Sequence, residues 1–356
     1  LDDNYFKYQD DLPLSGFYSD IYADSLKTFD STYFFKIENE IAWERLDNKR
    51  HRGAKDLLGL SFSVKDQLVR IQQREIDTVF NNVSAAGKLY NTYSLNRFFW
   101  EVSAKYTLAG YNAGDQLYGA RIKKGFGDSL NMITLAVSSN EKEADFIYNH
   151  FSSNHFKWEN NFIKTKEQKV ELDVVSGKWN AAMGGAISLY SNIPYFDNYA
   201  RSRQYIGTIP VYSAYIKKNV SLMNWHLDNK INYQYVPDST VIRLPALVLQ
   251  HSLYYENDVF KGAMNLQIGF SVFYNSEYFA DRYMPATGQF YLQDDKKYGN
   301  YPVIDFFINT QIKQARIFFK IDHLNSGLMG NGYVLTPSYP LNDRAFKLGI
   351  SWKFFD

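Results

Sequence analysis

The chain has 356 residues and a formal net charge of +1, so no strong excess of positive charge points to a nucleic-acid partner. It has no cysteine, which suits the periplasm but is also common in cytosolic proteins. Aromatic residues make up 17% of the chain, yet its mean hydropathy is -0.39. The sequence contains no apolar run of about 18 residues, which excludes a transmembrane helix of ordinary length. In lipid, a closed β-barrel is the other structure that satisfies every backbone polar group.

The first 31 residues are mixed in character. We assign residues 1–31 to a periplasmic N-terminal lead with a candidate first strand near 14–24, and residues 32–356 to a barrel. Leu1-Asp2-Asp3 lacks the basic start and apolar core of a signal peptide. For a membrane barrel, we therefore expect the sequence to be the mature form after cleavage.

From Tyr33 onward, apolar and polar residues alternate with the period of two that a strand requires. Helical spacing fits less well, because charged residues recur at every second position. Fifteen segments show this character, at 33–44, 58–65, 76–90, 100–108, 115–124, 129–142, 155–176, 179–189, 207–218, 225–235, 245–257, 264–274, 304–313, 316–322 and 345–354. A barrel whose two ends both lie in the periplasm needs an even number of strands. The candidate strand near 14–24 gives sixteen, and fourteen is the alternative.

The connections between these segments alternate in length. We expect tight turns near 176–178, 218–221 and 257–260, at Gln314-Ala315, and at Gly125-Phe126-Gly127-Asp128. Long polar connections separate them, at 143–160, 192–207, 275–300 and 325–343. Short periplasmic turns and long extracellular loops are typical of an antiparallel, up-and-down transmembrane β-barrel. A soluble β-sandwich is the alternative, but its strands usually have about 5–6 residues, fewer than most of these segments.

The last segment is amphipathic and ends in aromatic residues. Its apolar face consists of Phe346, Leu348, Ile350, Trp352 and Phe354. We expect this strand to close the barrel by pairing with the first strand. Phe355 and Asp356 follow it, so either the aspartate is tolerated at the periplasmic rim, or the register slips and Phe355 faces lipid.

Charged residues fall on the face opposite the apolar one, where they would point into the lumen. They are Lys36, Glu38, Glu40, Lys65, Glu101, Lys105, Asp228, Lys230, Asp305, Lys313, Arg316, Lys320, Asp322 and Lys347. Facing rows of opposite charge would create a transverse field that orients polar solutes. The alternative is that these residues only pair with one another and fill the interior.

Two stretches resemble segments of the putative porin family of Bacteroidetes outer membranes. They are the run from Lys105 to Asp115, KYTLAGYNAGD, and the run from Ser153 to Phe162, SNHFKWENNF. Asn81-Asn82-Val83-Ser84 ahead of the first run and the aromatic final strand follow the same order. The resemblance spans about Phe35 to Phe355. It implies an outer-membrane barrel of the cell envelope more than it implies a particular cargo.

The first of these stretches is typical of a tight turn. Gly110, Asn112 and Gly114 suit positive φ angles, and Asp115 can accept backbone hydrogen bonds. A loop contact with a partner, or a pore constriction that includes Tyr111, is the functional alternative.

In the second stretch, His155 lies beside Trp158 and Glu159, where it could bind a ligand. The alternative is an aromatic anchor that holds a long loop against the wall.

No motif predicts catalysis, a metal site or a cofactor. The histidines have no spacing that indicates a site, and His150 and His155 lack a third metal ligand nearby. We expect His226 to face the lumen and His251 to face lipid. An outer-membrane hydrolase is the least favoured hypothesis, and a Ser or Thr hydroxyl near a histidine at the lipid edge would be its sign.

The sequence therefore predicts a non-enzymatic outer-membrane porin, a channel for passive diffusion of small hydrophilic solutes through a charged lumen. A structural or accessory barrel that docks to a larger envelope complex is the alternative. The expected partners are outer-membrane lipid, small hydrophilic solutes and, for the alternative, other envelope proteins.

Overall fold

A computed structural model describes residues 2–11, 17–45, 58–91, 97–127, 130–328 and 333–354. The fold is all-β apart from one helical turn, α1 (Phe146–Asn149), as the alternation predicted. Within the described residues, no helix is long and apolar enough to cross a membrane.

Twenty-two strands are present in the described residues, in chain order. They are β1 (Asp2–Asp10), β2 (Thr28–Glu44), β3 (Leu58–Gln72), β4 (Asp77–Asn91), β5 (Phe98–Ala109), β6 (Gln116–Gly125), β7 (Met132–Lys142), β8 (His150–Ser152), β9 (Lys157–Glu159), β10 (Thr165–Ser176), β11 (Ala181–Phe196), β12 (Ser202–Leu222), β13 (Trp225–Tyr235), β14 (Leu247–Val259), β15 (Met264–Asn275), β16 (Arg282–Met284), β17 (Gln289–Tyr291), β18 (Val303–Ile312), β19 (Ala315–Asp322), β20 (Val334–Thr336), β21 (Tyr339–Pro340) and β22 (Ala345–Trp352).

Sixteen of these strands form one antiparallel sheet, the barrel wall, in which each strand pairs with the next wall strand along the chain. The other six form three small hairpins, β8–β9, β16–β17 and β20–β21, within the connections. Sixteen wall strands agree with the expected number.

Register gives the wall one apolar and one polar face. Leu227 of β13 lies opposite Leu253 of β14, whereas the adjacent Asp228 lies opposite Ser252. Large apolar side chains on the face that includes Leu227 and Leu253 are exposed throughout the wall. Ile41 is the most exposed of those in the wall strands, at 82%. An exposed apolar band is what lipid requires of a membrane barrel.

The connections differ between the two ends of the wall. One end carries short turns at 177–180, 223–224, 260–263 and 313–314, which are the periplasmic turns. The other end carries the long extracellular connections, at 143–164, 276–302 and 323–344. Three expected bounds were wrong, because β11 continues to Phe196, β12 to Leu222 and β14 to Val259. Most of the loop expected at 192–207, the turn expected at 218–221 and most of the turn expected at 257–260 therefore lie in strands.

The first strand is Asp2–Asp10, whereas the sequence suggested a strand near 14–24. The described residues 17–24 form turns and bends instead. Because β1 and β2 are antiparallel neighbours, the segment that joins them lies at the extracellular end and not in a periplasmic lead.

The wall has a seam between its first and last strands. Among the described residues, β1 pairs with β2 and β22 pairs with β19, and no ladder joins β1 to β22. The expected closing contact is therefore not formed by the described residues of these two strands. The apolar face of β22 is exposed, from Trp352 at 58% to Leu348 at 72%. The question of register at Phe355 and Asp356 lies outside the described residues.

Candidate functional site: the polar face and the loop cover

Ion pairs link neighbouring strands on the polar face of the wall. Glu38 on β2 accepts from Lys65 Nζ at 2.5 Å and from Gln67 Nε2 at 2.6 Å, both on β3. Lys36 Nζ lies 3.4 Å from a carboxylate oxygen of Asp2, and Lys65 Nζ lies 3.8 Å from Glu40. Four predicted residues, Lys36, Glu38, Glu40 and Lys65, thus form one network near the seam.

A second network lies on the other side of the seam. Lys320 Nζ lies 2.8 Å from Asp305 and 2.6 Å from Asp322, and Lys347 on β22 also pairs with Asp322. Farther along the wall, Glu101 pairs with Lys88 at 2.7 Å. Positive and negative charges are therefore interleaved across this face.

Five of the predicted charges make no ion pair within the described part of the chain: Lys105, Asp228, Lys230, Lys313 and Arg316. Lys313 was also wrongly placed, because it lies in the turn between β18 and β19. Lys230 instead lies directly opposite a second lysine, Lys217 of β12. Sequence reasoning missed Lys217 because it placed this polar run at the edge of a turn. The available signal was the alternation itself, which places Lys217 on the face opposite Ala214 and Ile216.

The extracellular ends of the wall are joined by a second set of contacts, beginning with the turn at 110–115. Gly110 has φ +96° and Gly114 has φ +80°. The Asn82 side chain on β4 accepts at Oδ1 from the Asn112 backbone N–H at 3.0 Å. Its Nδ2 donates to Asn112 Oδ1 at 2.8 Å. The run Asn81-Asn82-Val83-Ser84 and the run from Lys105 to Asp115, which contains the turn, are therefore in direct contact.

The same turn holds the start of the connection at 143–164. Asp115 Oδ1 accepts from the Glu143 backbone N–H at 2.7 Å and from Lys164 Nζ at 2.5 Å. Tyr111 donates to the Ala144 carbonyl at 2.8 Å and accepts from Asn149 Nδ2 at 2.9 Å. Burial of the Tyr111 hydroxyl raises its pKa to about 12, so this hydroxyl stays protonated and uncharged at ordinary pH.

Asn154 fastens that loop to the connection between β1 and β2. The side chain is fully buried. Its Oδ1 accepts from the backbone N–H groups of Ala23 and Asp24 at 3.1 and 2.9 Å, and its Nδ2 donates to the Asp24 carbonyl at 2.8 Å. The Asn154 backbone N–H donates to both carboxylate oxygens of Asp30, at 2.9 and 3.0 Å.

His155 has protein partners on both ring nitrogens. Nε2 lies 2.6 Å from the Thr28 hydroxyl, and Nδ1 lies 3.0 Å from the Asp20 carbonyl. The buried ring also stacks on Tyr18 at a centroid distance of 3.9 Å. Because its hydrogen-bonding capacity is used, His155 supports the loop rather than offering a free ligand.

Aromatic and aliphatic side chains from distant connections meet in one buried cluster, the loop cover. Its members are Phe196, Ala200, Met284, Ala286 and Tyr291, with Tyr8, Tyr18, Ile147, Tyr148, Phe156 and Trp158 packed against them. These residues come from β1, from the β1–β2, β7–β10 and β11–β12 connections, from the end of β11 and from the β16–β17 hairpin. The strands that carry them are far apart around the wall, so their contact must cross the extracellular mouth.

One Ser–His–Glu arrangement bears on the hydrolase hypothesis. Ser221 Oγ lies 2.9 Å from His226 Nδ1, and His226 Nε2 lies 3.9 Å from Glu256. In a serine hydrolase the hydroxyl contacts Nε2 and the acid contacts Nδ1, the reverse of this order. A separation of 3.9 Å is also too long for a hydrogen bond. His226 lies on the polar face and not at the lipid edge, so the arrangement gives no support to a hydrolase.

A family model described as a putative porin matches residues 1–356, the whole chain. No curated protein matches the chain. Similar solved structures include a ferric enterobactin receptor mutant (PfeA) from Pseudomonas aeruginosa, with a TM-score of 0.64 and 10% identity over 91% of this chain and 55% of that one. The siderophore receptor PirA from Acinetobacter baumannii gives 0.60 and 9% over 94% and 56%. The FrpB iron transporter from Neisseria meningitidis gives 0.61 and 8% over 92% and 56%.

At these identities the likeness shows the fold alone. The chain spans just over half the length of each of these three proteins.

Proposed function

Since the chain belongs to the putative porin family, and is an outer-membrane β-barrel with a role in transport, we propose that it is a passive channel for small hydrophilic solutes. The observation that carries this proposal is the polar face, which presents interleaved charges of both signs opposite an exposed apolar band. In a barrel of this size, side chains alone do not fill the lumen. We therefore assign the polar face to a wetted lumen.

The loop cover would then restrict entry at the extracellular mouth. The β16–β17 hairpin reaches across it, since Leu292 donates to the Phe196 carbonyl at 3.0 Å and Gly288 lies against the ring of Phe6 on β1. Loops that fold over a mouth set the size of solute that can pass. The proposed selectivity thus has two parts, the loop cover for size and the polar face for charge.

Planar-bilayer recording of the purified protein tests this function. We expect measurable conductance, and a larger conductance when residues 282–291 are replaced by a short Gly-Ser linker, because part of the loop cover is then removed. A same-length Gly-Ser replacement of the periplasmic turn at 260–263 serves as the control and should leave conductance unchanged. Absence of conductance in both the native and the hairpin-replaced protein would overturn the proposal.

A second candidate is an accessory barrel of a larger envelope complex. Apolar side chains at the extracellular end favour it, because Phe17, Ile21, Leu26 and Tyr199 are all more than half exposed. Purification in mild detergent distinguishes the two functions. A stable partner at fixed stoichiometry supports the accessory function, and a barrel that purifies alone argues against it.

A further inference from the structure

Two lysines face each other across adjacent strands on the polar face. Lys217 of β12 lies directly opposite Lys230 of β13 in the antiparallel register. Side chains in such a pair have Cβ atoms about 4.5–5.5 Å apart, and like charges placed there destabilise the sheet. A negative charge placed near the two ammonium groups would offset this repulsion.

The protein does not supply that charge within the described residues. Neither Lys217 nor Lys230 has a carboxylate within 4.0 Å, whereas Lys36, Lys65, Lys88 and Lys320 all do. This part of the polar face therefore differs from the two networks beside the seam. Its positive charge remains available to a solute.

The two lysines line a cavity of about 590 Å³ together with Asn219, Asp228, Asn232 and other polar residues. Asn219 and Asp228 form the next cross-strand pair on the same face, two residues toward the periplasmic turn. Asn219 Oδ1 is buried and has no hydrogen-bond partner, and Asp228 makes no ion pair in the described chain. Beside the two donors, the cavity thus presents one acceptor without a partner, the carboxylate of Asp228.

We propose that this cavity binds a hydroxylated organic anion of the sugar-acid or sugar-phosphate type. The ammonium groups of Lys217 and Lys230 donate to the anionic group, and the Asp228 carboxylate accepts from the hydroxyls. Residues two apart on one strand face are separated by about 7 Å, which matches the distance from the acid group to the distal hydroxyls of such a solute. The proposal deepens the proposed function, because it rests on the polar face being the lumen.

Binding of gluconate to the purified protein tests the site, with glucose as the uncharged probe and acetate as the anion without hydroxyls. Titration calorimetry should show gluconate binding more tightly than either. Lys217→Gln together with Lys230→Gln should weaken gluconate binding at least about tenfold, since two charge-assisted hydrogen bonds are lost. Lys230→Arg should retain binding, and Asp228→Asn should weaken gluconate but not acetate.

Lys218→Gln is the matched control, because it removes the same charge one residue away on the opposite face of β12. Equal weakening by Lys217→Gln and Lys218→Gln would overturn the proposal, since only the general field would then matter. Gluconate that binds no better than glucose would also overturn it. Conductance without gluconate binding overturns the site alone, and gluconate binding without conductance overturns the passive channel alone.

Discussion

Gly110 sits where both backbone geometry and space exclude a side chain. Its φ of +96° is strained for any L-residue, and a Cβ there would come within 2.3 Å of the Asn81 carbonyl oxygen. Gly110→Ala should lower the free energy of unfolding by more than the roughly 1–3 kcal/mol of backbone strain alone, since the neighbouring strand must also shift. Thermal unfolding in detergent measures this loss.

Gly262→Ala separates the two causes of that loss. Gly262 has a similar φ of +85°, but a Cβ there would meet nothing within 4 Å. We expect a clearly smaller effect from this variant than from Gly110→Ala. Equal losses would mean that the close approach of Asn81 contributes nothing.

The turn at 110–115 was predictable from its own residues, whereas contacts between residues far apart in the sequence were not. Gly110, Gly114 and Asp115 carry turn and acceptor character in themselves, and Asp115 does accept a backbone hydrogen bond. Asn154, by contrast, binds backbone groups about 130 positions earlier in the chain. Nothing in the residues around Asn154 indicates that contact.

The strands themselves were predictable wherever one face meets lipid, because the alternation is then strict. Strand ends were less so, since β12 continues through Lys217-Lys218-Asn219, a polar run that also suits a turn. Strand β1 was missed because its residues, DDNYFKYQD, mix charge and aromatic rings on both faces. The loop cover was missed because it forms from connections that only the curvature of the wall brings together.

The segment 17–27 should depend on the loop element that carries Asn154. Asn154→Ala leaves the backbone N–H groups of Ala23 and Asp24 without acceptors, which should cost at least about 2 kcal/mol. We expect faster hydrogen exchange and easier proteolysis in 17–27, while the wall strands remain protected. Asn198→Ala, which removes one exposed hydrogen bond to Asp294, is the control. Unchanged protection of 17–27 in the Asn154 variant would contradict this dependence.

At the scale of the whole molecule, the seam leaves the facing edges of β1 and β22 without a ladder in the described residues. Strand β1 runs from the periplasmic to the extracellular end and β22 runs the other way, so direct pairing would keep the antiparallel order. Each strand has one hydrogen-bonded neighbour in the described chain, and every second amide of β1 and β22 points into the seam. An edge left in this state is open to pairing with another strand.

Hydrogen exchange resolved to single amides tests whether the seam stays open in solution. Alternate amides of Asp2–Asp10 and Ala345–Trp352 should exchange much faster than those of β11, which has a neighbour on both sides. The remaining amides of β1 and β22 should be protected, because they donate to β2 and β19. Uniform protection along both strands, matching β11, would show that the two edges pair in the native barrel.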